Sequence, residues 1–211
     1  ETVRIFTGSR IPQGADTVVI QENTSADGNQ ITMLKIPRLG QFVRPAGLDF
    51  SAGDIGLKAG QLLTPRAIGY AASMNHPWLS VRRKPRVAIL ATGDEIVLPG
   101  DPIGVDQIVS SNSHALAAAV RGYGGEPFSL GIAPDERHGL KSMAAGARGA
   151  DILVTTGGAS VGDHDLVQSV LGEIGLELDF WKIAMRPGKP LIFGRIGDTR
   201  LLGLPGNPVS A

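Results

Sequence analysis

Val87-Ala88-Ile89-Leu90-Ala91-Thr92-Gly93-Asp94-Glu95 and Ile152-Leu153-Val154-Thr155-Thr156-Gly157-Gly158-Ala159-Ser160-Val161-Gly162-Asp163-His164-Asp165 are the two stretches that decide the fold. Each starts as a short apolar run and breaks into a glycine-bearing polar loop. A run of this kind reads as a strand buried on both faces, the usual state in a parallel sheet. Between and after these runs the period changes from strand to helix. Alanine-rich 113–121 reads as one helix. Leu140, Met143, Ala144 and Ala147 fall at i, i+3, i+4 and i+7, the apolar face of a second. Leu166, Val167, Val170, Leu171 and Ile174 make the face of a third, with Asp163 placed to cap it. Further strands are expected at 126–130, 177–185, 190–195 and 200–204. Strands alternating with helices predict an α/β fold with a mainly parallel sheet and helices on both faces.

Toward the N-terminus the pattern differs. Thr17-Val18-Val19-Ile20 and Ile31-Thr32-Met33-Leu34-Lys35-Ile36 read as strands, with a hairpin turn signal at Asp27-Gly28-Asn29. Residues 1–46 are therefore read as a small β module. In 47–81, Thr64-Pro65 is a cap-and-first-turn pair, predicting a helix over 64–74 with Ile68, Ala71 and Ala72 on one face. Pro77 ends that segment, and Trp78 to Val81 reads as a strand. The basic run Arg82, Arg83, Lys84 and Arg86 reads as a solvated linker into the α/β domain, 82–211. The chain lacks an initial Met, and Asn207-Pro208 signals a helix start four residues before the chain stops. Both observations predict a fragment of a longer protein.

Composition narrows the chemistry. The 211 residues are 42% hydrophobic and 19% charged, which excludes dominant disorder. Twenty Lys plus Arg balance twenty Asp plus Glu, so capture of nucleic acid or an anionic membrane by net charge is not expected. The absence of cysteine excludes disulfides, thiolate metal sites and a cysteine nucleophile, and fits a cytoplasmic protein. No stretch approaches the ~20 apolar residues of a membrane span.

In an open parallel sheet, ligands sit beyond the carboxyl ends of the strands. The loops Thr92-Gly93-Asp94-Glu95 and Gly157 to Asp165 fall there. Their glycines let backbone N–H groups approach a phosphate, and a following helix N-terminus adds positive potential. Neither loop matches the P-loop or dinucleotide fingerprint. Their carboxylates, Asp94, Glu95, Asp163 and Asp165, suit Mg²⁺ bridging to substrate phosphates, although Asp94 and Asp163 equally suit capping. Lys182, Arg186 and Lys189 surround a turn stiffened by Pro187, Gly188 and Pro190, an arrangement suited to an oxyanion. The four histidines are scattered, without zinc spacing. Trp78, Trp181 and Phe180 read as core or edge packing.

Together these segments resemble the molybdopterin-binding (MogA-like) fold of molybdenum cofactor biosynthesis. Thr7-Gly8, Ile11-Pro12-Gln13-Gly14-Ala15-Asp16-Thr17-Val18-Val19, Arg44 to Asp49, Arg186-Pro187-Gly188-Lys189-Pro190 and Gly203-Leu204-Pro205-Gly206-Asn207-Pro208-Val209-Ser210-Ala211 narrow the resemblance. They are similar to the molybdopterin molybdenumtransferases of the bacterial MoeA type, related to the gephyrin E domain. The resemblance runs through all 211 residues in the family's order.

The resemblance implies Mg²⁺-dependent insertion of molybdenum from molybdate into adenylylated molybdopterin, with release of AMP. It implies catalytic positions at Glu95, Asp165, Asp49 and Thr7, with Glu95 and Asp165 as metal ligands. It assigns substrate binding to Thr92, Gly93, Asp94, Gly157, Gly158, Ser160, Gly162, Lys182, Arg186, Lys189, Pro205, Gly206, Asn207 and Pro208. It further implies a homodimer and names the molybdopterin adenylyltransferase as a candidate partner. Two departures stand out. Ser110-Ser111-Asn112 replaces the family's usual Asp-Ser or Asp-Thr before Asn, and Leu48 replaces a common Glu. Two other readings remain open: the adenylyltransferase that makes the substrate, and a non-catalytic gephyrin-like scaffold. The β module and the Pro205-Gly206-Asn207-Pro208 ending favour the molybdenum-inserting enzyme.

Overall fold

The computed structural model describes residues 1–158 and 166–211. They form two compact units, Glu1–Ser80 and Val81–Ala211.

In the first unit, strands β1 (Thr24–Asp27) and β2 (Gln30–Met33) pair antiparallel around the expected turn, with Asp27 opposite Gln30. The run 17–20 is not a strand. Its Val18 N–H donates to the Gln41 carbonyl at 3.0 Å, but no ladder follows. β-Branched residues favour a pleated surface only where a neighbouring strand offers partners. Helix α1 (Pro65–Ser73) starts as expected, with the Thr64 hydroxyl accepting from the Ala67 N–H at 3.2 Å. The buried face is Ala67 and Ala71, not Ile68, which is exposed. Residues 78–81 are also not a strand, and Trp78 stands 89% exposed. The Tyr70 hydroxyl donates to the Asp49 carbonyl at 3.1 Å, and its ring meets Phe50 edge-on at 5.8 Å. That pair folds the segment around Asp49 onto α1.

The second unit contains β3 (Arg86–Thr92), the short pair β4 (Ile96–Val97) and β5 (Ile108–Val109), α2 (Asn112–Gly122) and β6 (Glu126–Ala133). Helix α3 (Arg137–Ala144), β7 (Ile152–Thr156), α4 (Leu166–Glu173), β8 (Leu176–Trp181), β9 (Ile192–Ile196) and β10 (Thr199–Leu204) follow. The six-stranded sheet runs β6-β3-β7-β10-β9-β8. β6, β3, β7 and β10 are mutually parallel, whereas β9 is antiparallel to both β10 and β8. β8 stops at Trp181, short of the expected 185.

The chain leaves β3 toward β6 and returns past it to β7. Right-handed crossovers in opposite directions put their helices on opposite faces. The burial agrees. Ala88, Leu90 and Leu153 pack with Leu140 and Ala144 of α3 and Val167, Val170 and Leu171 of α4. Val87, Ile89 and Val154 pack on the other face with Leu116, Ala117 and Val120 of α2. Both faces of β3 are thus core, and truncating fully buried Leu90 to Ala would cost about 2–5 kcal/mol. At the amino edge, Arg83 clasps the Asp151 carboxylate at 2.6 and 2.7 Å, and the Arg86 N–H adds a bond of 2.7 Å. The basic run is therefore pinned to the start of β7. No helix among the described residues is long and apolar enough to cross a membrane.

Candidate functional site

The reversal of strand order at β3 and β7 opens a crevice beyond their carboxyl ends, the usual ligand position in such sheets. Ala91 pairs with Thr156 across these strands, so Thr92 and Gly157 enter the crevice side by side. A cleft there is walled by Thr92, Glu95, Ser110, Ser111, Asn112, Thr156, Gly157, Gly206 and Pro208. The small β4–β5 pair brings the α2 start to the β3 end: Ile108 N–H donates to the Glu95 carbonyl at 2.8 Å, and Ser110 N–H to that of Val97 at 2.9 Å.

Gly157 and Gly158 have φ of 93° and 64°, a region that L side chains rarely adopt. A Cβ on Gly157 would overlap the Thr92 carbonyl oxygen, and one on Gly158 would overlap Val167. Either Cβ would also lie 2.9 Å from Thr92 Oγ1. Glycine is therefore required for the two loops to meet. Thr92 Oγ1 is buried beneath them without a hydrogen-bond partner among the described residues. The Glu95 carboxylate folds over Gly93, where any Cβ would strike it.

Asn112 holds the site together. Its side-chain amide donates to Thr156 Oγ1 at 2.9 Å and to the Gly206 carbonyl at 2.8 Å. One side chain thus joins the start of α2 to the ends of β7 and β10. Asn207 begins a helical turn, its side chain accepting from Val209 N–H at 3.0 Å and its carbonyl from Ser210 N–H at 2.8 Å. This is the cap expected of Asn207-Pro208.

Three carboxylates gather beyond β3 and β6. Asp94 Oδ1 accepts the Asp135 N–H at 3.1 Å, a turn-fixing contact. Burial raises the Asp135 pKa, and the neighbouring charges of Asp94 and then Glu95 raise it further. Among the described residues no three His, Cys, Asp or Glu side chains are arranged to hold a metal ion. Mg²⁺ commonly takes one or two carboxylates and completes its shell with waters and substrate phosphates, so a cleft-lining Glu95 fits that role.

Because β8 is parallel to β10, the loop after Trp181 emerges at the same carboxyl edge. It carries Lys182, Arg186 and Lys189. Its ends are closed by Lys182 N–H to the Leu191 carbonyl and Ile183 N–H to the Lys189 carbonyl, both 3.0 Å. A Cβ at Gly188 would lie 3.2 Å from the Ser210 carbonyl, so the basic loop abuts the turn that follows Asn207.

Of the expected site residues, Thr92, Gly93, Asp94, Glu95, Gly157, Gly158, Pro205, Gly206, Asn207, Pro208, Lys182, Arg186 and Lys189 share this edge. Ser160, Gly162 and Asp165, with the Asp163 cap, lie outside the described residues. Thr7 and Asp49 belong to the other unit. Thr7 sits in a turn closed by Ser9 N–H to the Phe6 carbonyl at 3.0 Å, and Asp49 is held through its backbone by Tyr70. Asp135 is not singled out by sequence reasoning, and Asn112 enters it only as the last residue of Ser110-Ser111-Asn112, without its bridging role. Asp135 has a usable signal, a carboxylate directly beyond an expected strand, whereas the reach of Asn112 to Thr156 and Gly206 has no local signature.

Residues 88–211 match the family model described as "Probable molybdopterin binding domain". The chain belongs to this molybdopterin-binding domain family. Within it the chain is of the MoeA type, because residues 1–75 match the MoeA N-terminal region (domain I and II). The molybdopterin molybdenumtransferase of Nostoc sp. is 40% identical over all of this chain and 49% of its own length. That of Haemophilus influenzae is 39% identical over 99% of this chain and 52% of its own. A crystal structure of the molybdopterin biosynthesis MoeA protein from Pyrococcus horikosii aligns with TM-score 0.74 and 34% identity, covering 95% of this chain and 50% of that one. The expected MoeA-type membership and α/β fold are borne out. The chain spans about half the length of the curated relatives it matches.

Proposed function

We propose that the protein to which this chain belongs is a molybdopterin molybdenumtransferase, inserting molybdenum from molybdate into adenylylated molybdopterin and releasing AMP. The observation that carries the reading is the Asn112 bridge to Thr156 and Gly206, which gathers the glycine loops and the Pro205-Gly206-Asn207-Pro208 segment into one crevice. Gly157, Gly158 and the loop from Thr92 present backbone to the phosphates, and Ser160 and Gly162, which follow Gly158 in sequence, are further proposed substrate-binding positions. Glu95 and Asp165 are the proposed Mg²⁺ ligands; the ion, when bound, neutralises phosphate charge during phosphoanhydride cleavage. Lys182, Arg186 and Lys189 receive molybdate as an oxyanion substrate. The dithiolene sulfurs belong to the substrate, so a chain without cysteine suffices.

Thr7 and Asp49 are proposed to act from the first unit, and the expected organisation is 1–46 as β module, 47–81 as linker and 82–211 as sheet domain. A cytoplasmic homodimer that exchanges substrate with the adenylyltransferase completes the reading. The assignment as a molybdenumtransferase is supported by the names of the relatives and by the site's donor set. The full-length protein should consume adenylylated molybdopterin and leave MgATP plus molybdopterin untouched. Adenylyl transfer from ATP would instead identify the adenylyltransferase, and tight binding without turnover a scaffold.

A further inference from the structure

Trp181 ends β8, and its ring packs against the rim of the main core cluster. Its indole nitrogen is buried without a hydrogen-bond partner among the described residues, so packing rather than a polar tether orients the ring. Lys182 follows with φ of 77°, a left-handed backbone outside glycine. In a continuing strand, successive side chains point to opposite faces. The left-handed residue breaks that alternation and lays the Lys182 ammonium 3.9 Å from the centroid of the Trp181 ring. The bond from Lys182 N–H to the Leu191 carbonyl holds the backbone in place. A flexible four-carbon stem would otherwise leave the charge free to sweep the loop. A cation over an indole face is attracted by the ring quadrupole and keeps outward N–H donors for an anion.

We propose that Trp181 is a positioning residue, whose indole face fixes the Lys182 ammonium at the carboxyl edge to receive a tetrahedral oxyanion. The inference rests on the reading that Lys182 meets the oxyanion substrate.

The test uses full-length protein carrying lysine ¹³C-labelled at Cε, with Lys182→Gln assigning the signal. Ring current should displace the Lys182 Cε–H signal upfield, and Trp181→Leu should abolish the displacement. Added molybdate should move the wild-type signal. Molybdate Kd and KM should rise about 2–5-fold in Trp181→Leu with kcat little changed. Trp181→Phe, which keeps a ring under the ammonium, should stay within about 2-fold of wild type. If Trp181→Leu does not fold, the wild-type displacement and the Trp181→Phe affinity decide. A Lys182 signal without displacement, one unmoved by molybdate, or equal affinity losses in the Leu and Phe variants would overturn the proposal. A Lys182 signal that responds to molybdate and needs Trp181, in a protein without molybdate-dependent AMP release, would remove the functional reading and keep the positioning role.

Discussion

Asn112 lies 2.8 Å from the carbonyl of Gly206, ninety-four residues away, and that bond joins the start of α2 to the segment that follows β10 at one crevice. A second donor bond to Thr156 Oγ1 makes the amide a three-way junction. Asn112→Ala removes both bonds while leaving α2 a good helix former. Its expected cost is about 1–3 kcal/mol, read from denaturant unfolding, with weaker binding of the pterin substrate. Unchanged stability would mean that water replaces the amide without loss.

Glycine substitutions should differ in sign by position. Gly157→Ala forces a Cβ onto the Thr92 carbonyl at φ of 93°, combining backbone strain with overpacking, and should cost about 2–4 kcal/mol. Gly172, inside α4, has open space where a Cβ would stand, with nothing within 4 Å, and no left-handed φ. Gly172→Ala should stabilise by about 0.5–1 kcal/mol. Thermal unfolding of the two variants checks both signs.

The Arg83–Asp151 clasp predicts an acid-dependent loss. Arg83, and then the Arg86 N–H, hold the Asp151 pKa down at about 2 against an ordinary 3.8. A depressed carboxylate contributes stability above its unfolded pKa, and that contribution is lost as pH falls through the folded value. Wild-type and Asp151→Asn stabilities should therefore differ at pH 5 and converge between about pH 4 and pH 2. Parallel curves over that interval would remove Asp151 from the acid response.

Asp135 should behave with the opposite sign. Burial and the charges of Asp94 and Glu95 raise its pKa, so the fold holds its proton more tightly than the unfolded chain does. That favourable contribution is complete below the unfolded pKa and is lost as pH rises through the raised folded value. Asp135→Asn should consequently be more stable than wild type at neutral pH, with the gain vanishing in acid. Added Mg²⁺ should shrink the gain if the ion binds beside these carboxylates.

The sheet was legible where local chemistry and tertiary environment agree. The runs at 87–91 and 152–155 are apolar throughout because both faces of β3 and β7 meet helices. The turn at 27–30, the Thr64 cap and the Asn207 cap were readable for a similar reason, since each depends on residues adjacent in sequence. The run 17–20 misled because β propensity does not supply a partner strand, and β8 ended early because Lys182 leaves the extended region. In the site, strand-end loops marked the crevice and most of its walls. The bridge from Asn112 and the raised pKa of Asp135 arise only when distant segments meet, so no spacing announces them.

The most direct measurement is AMP release by the full-length protein supplied with adenylylated molybdopterin, Mg²⁺ and molybdate, followed alongside reconstitution of an apo-molybdoenzyme. The account predicts AMP release that requires molybdate, activates the acceptor enzyme and is abolished by Glu95→Gln and by Asp165→Asn. Release that ignores molybdate, or that survives both substitutions, would contradict it.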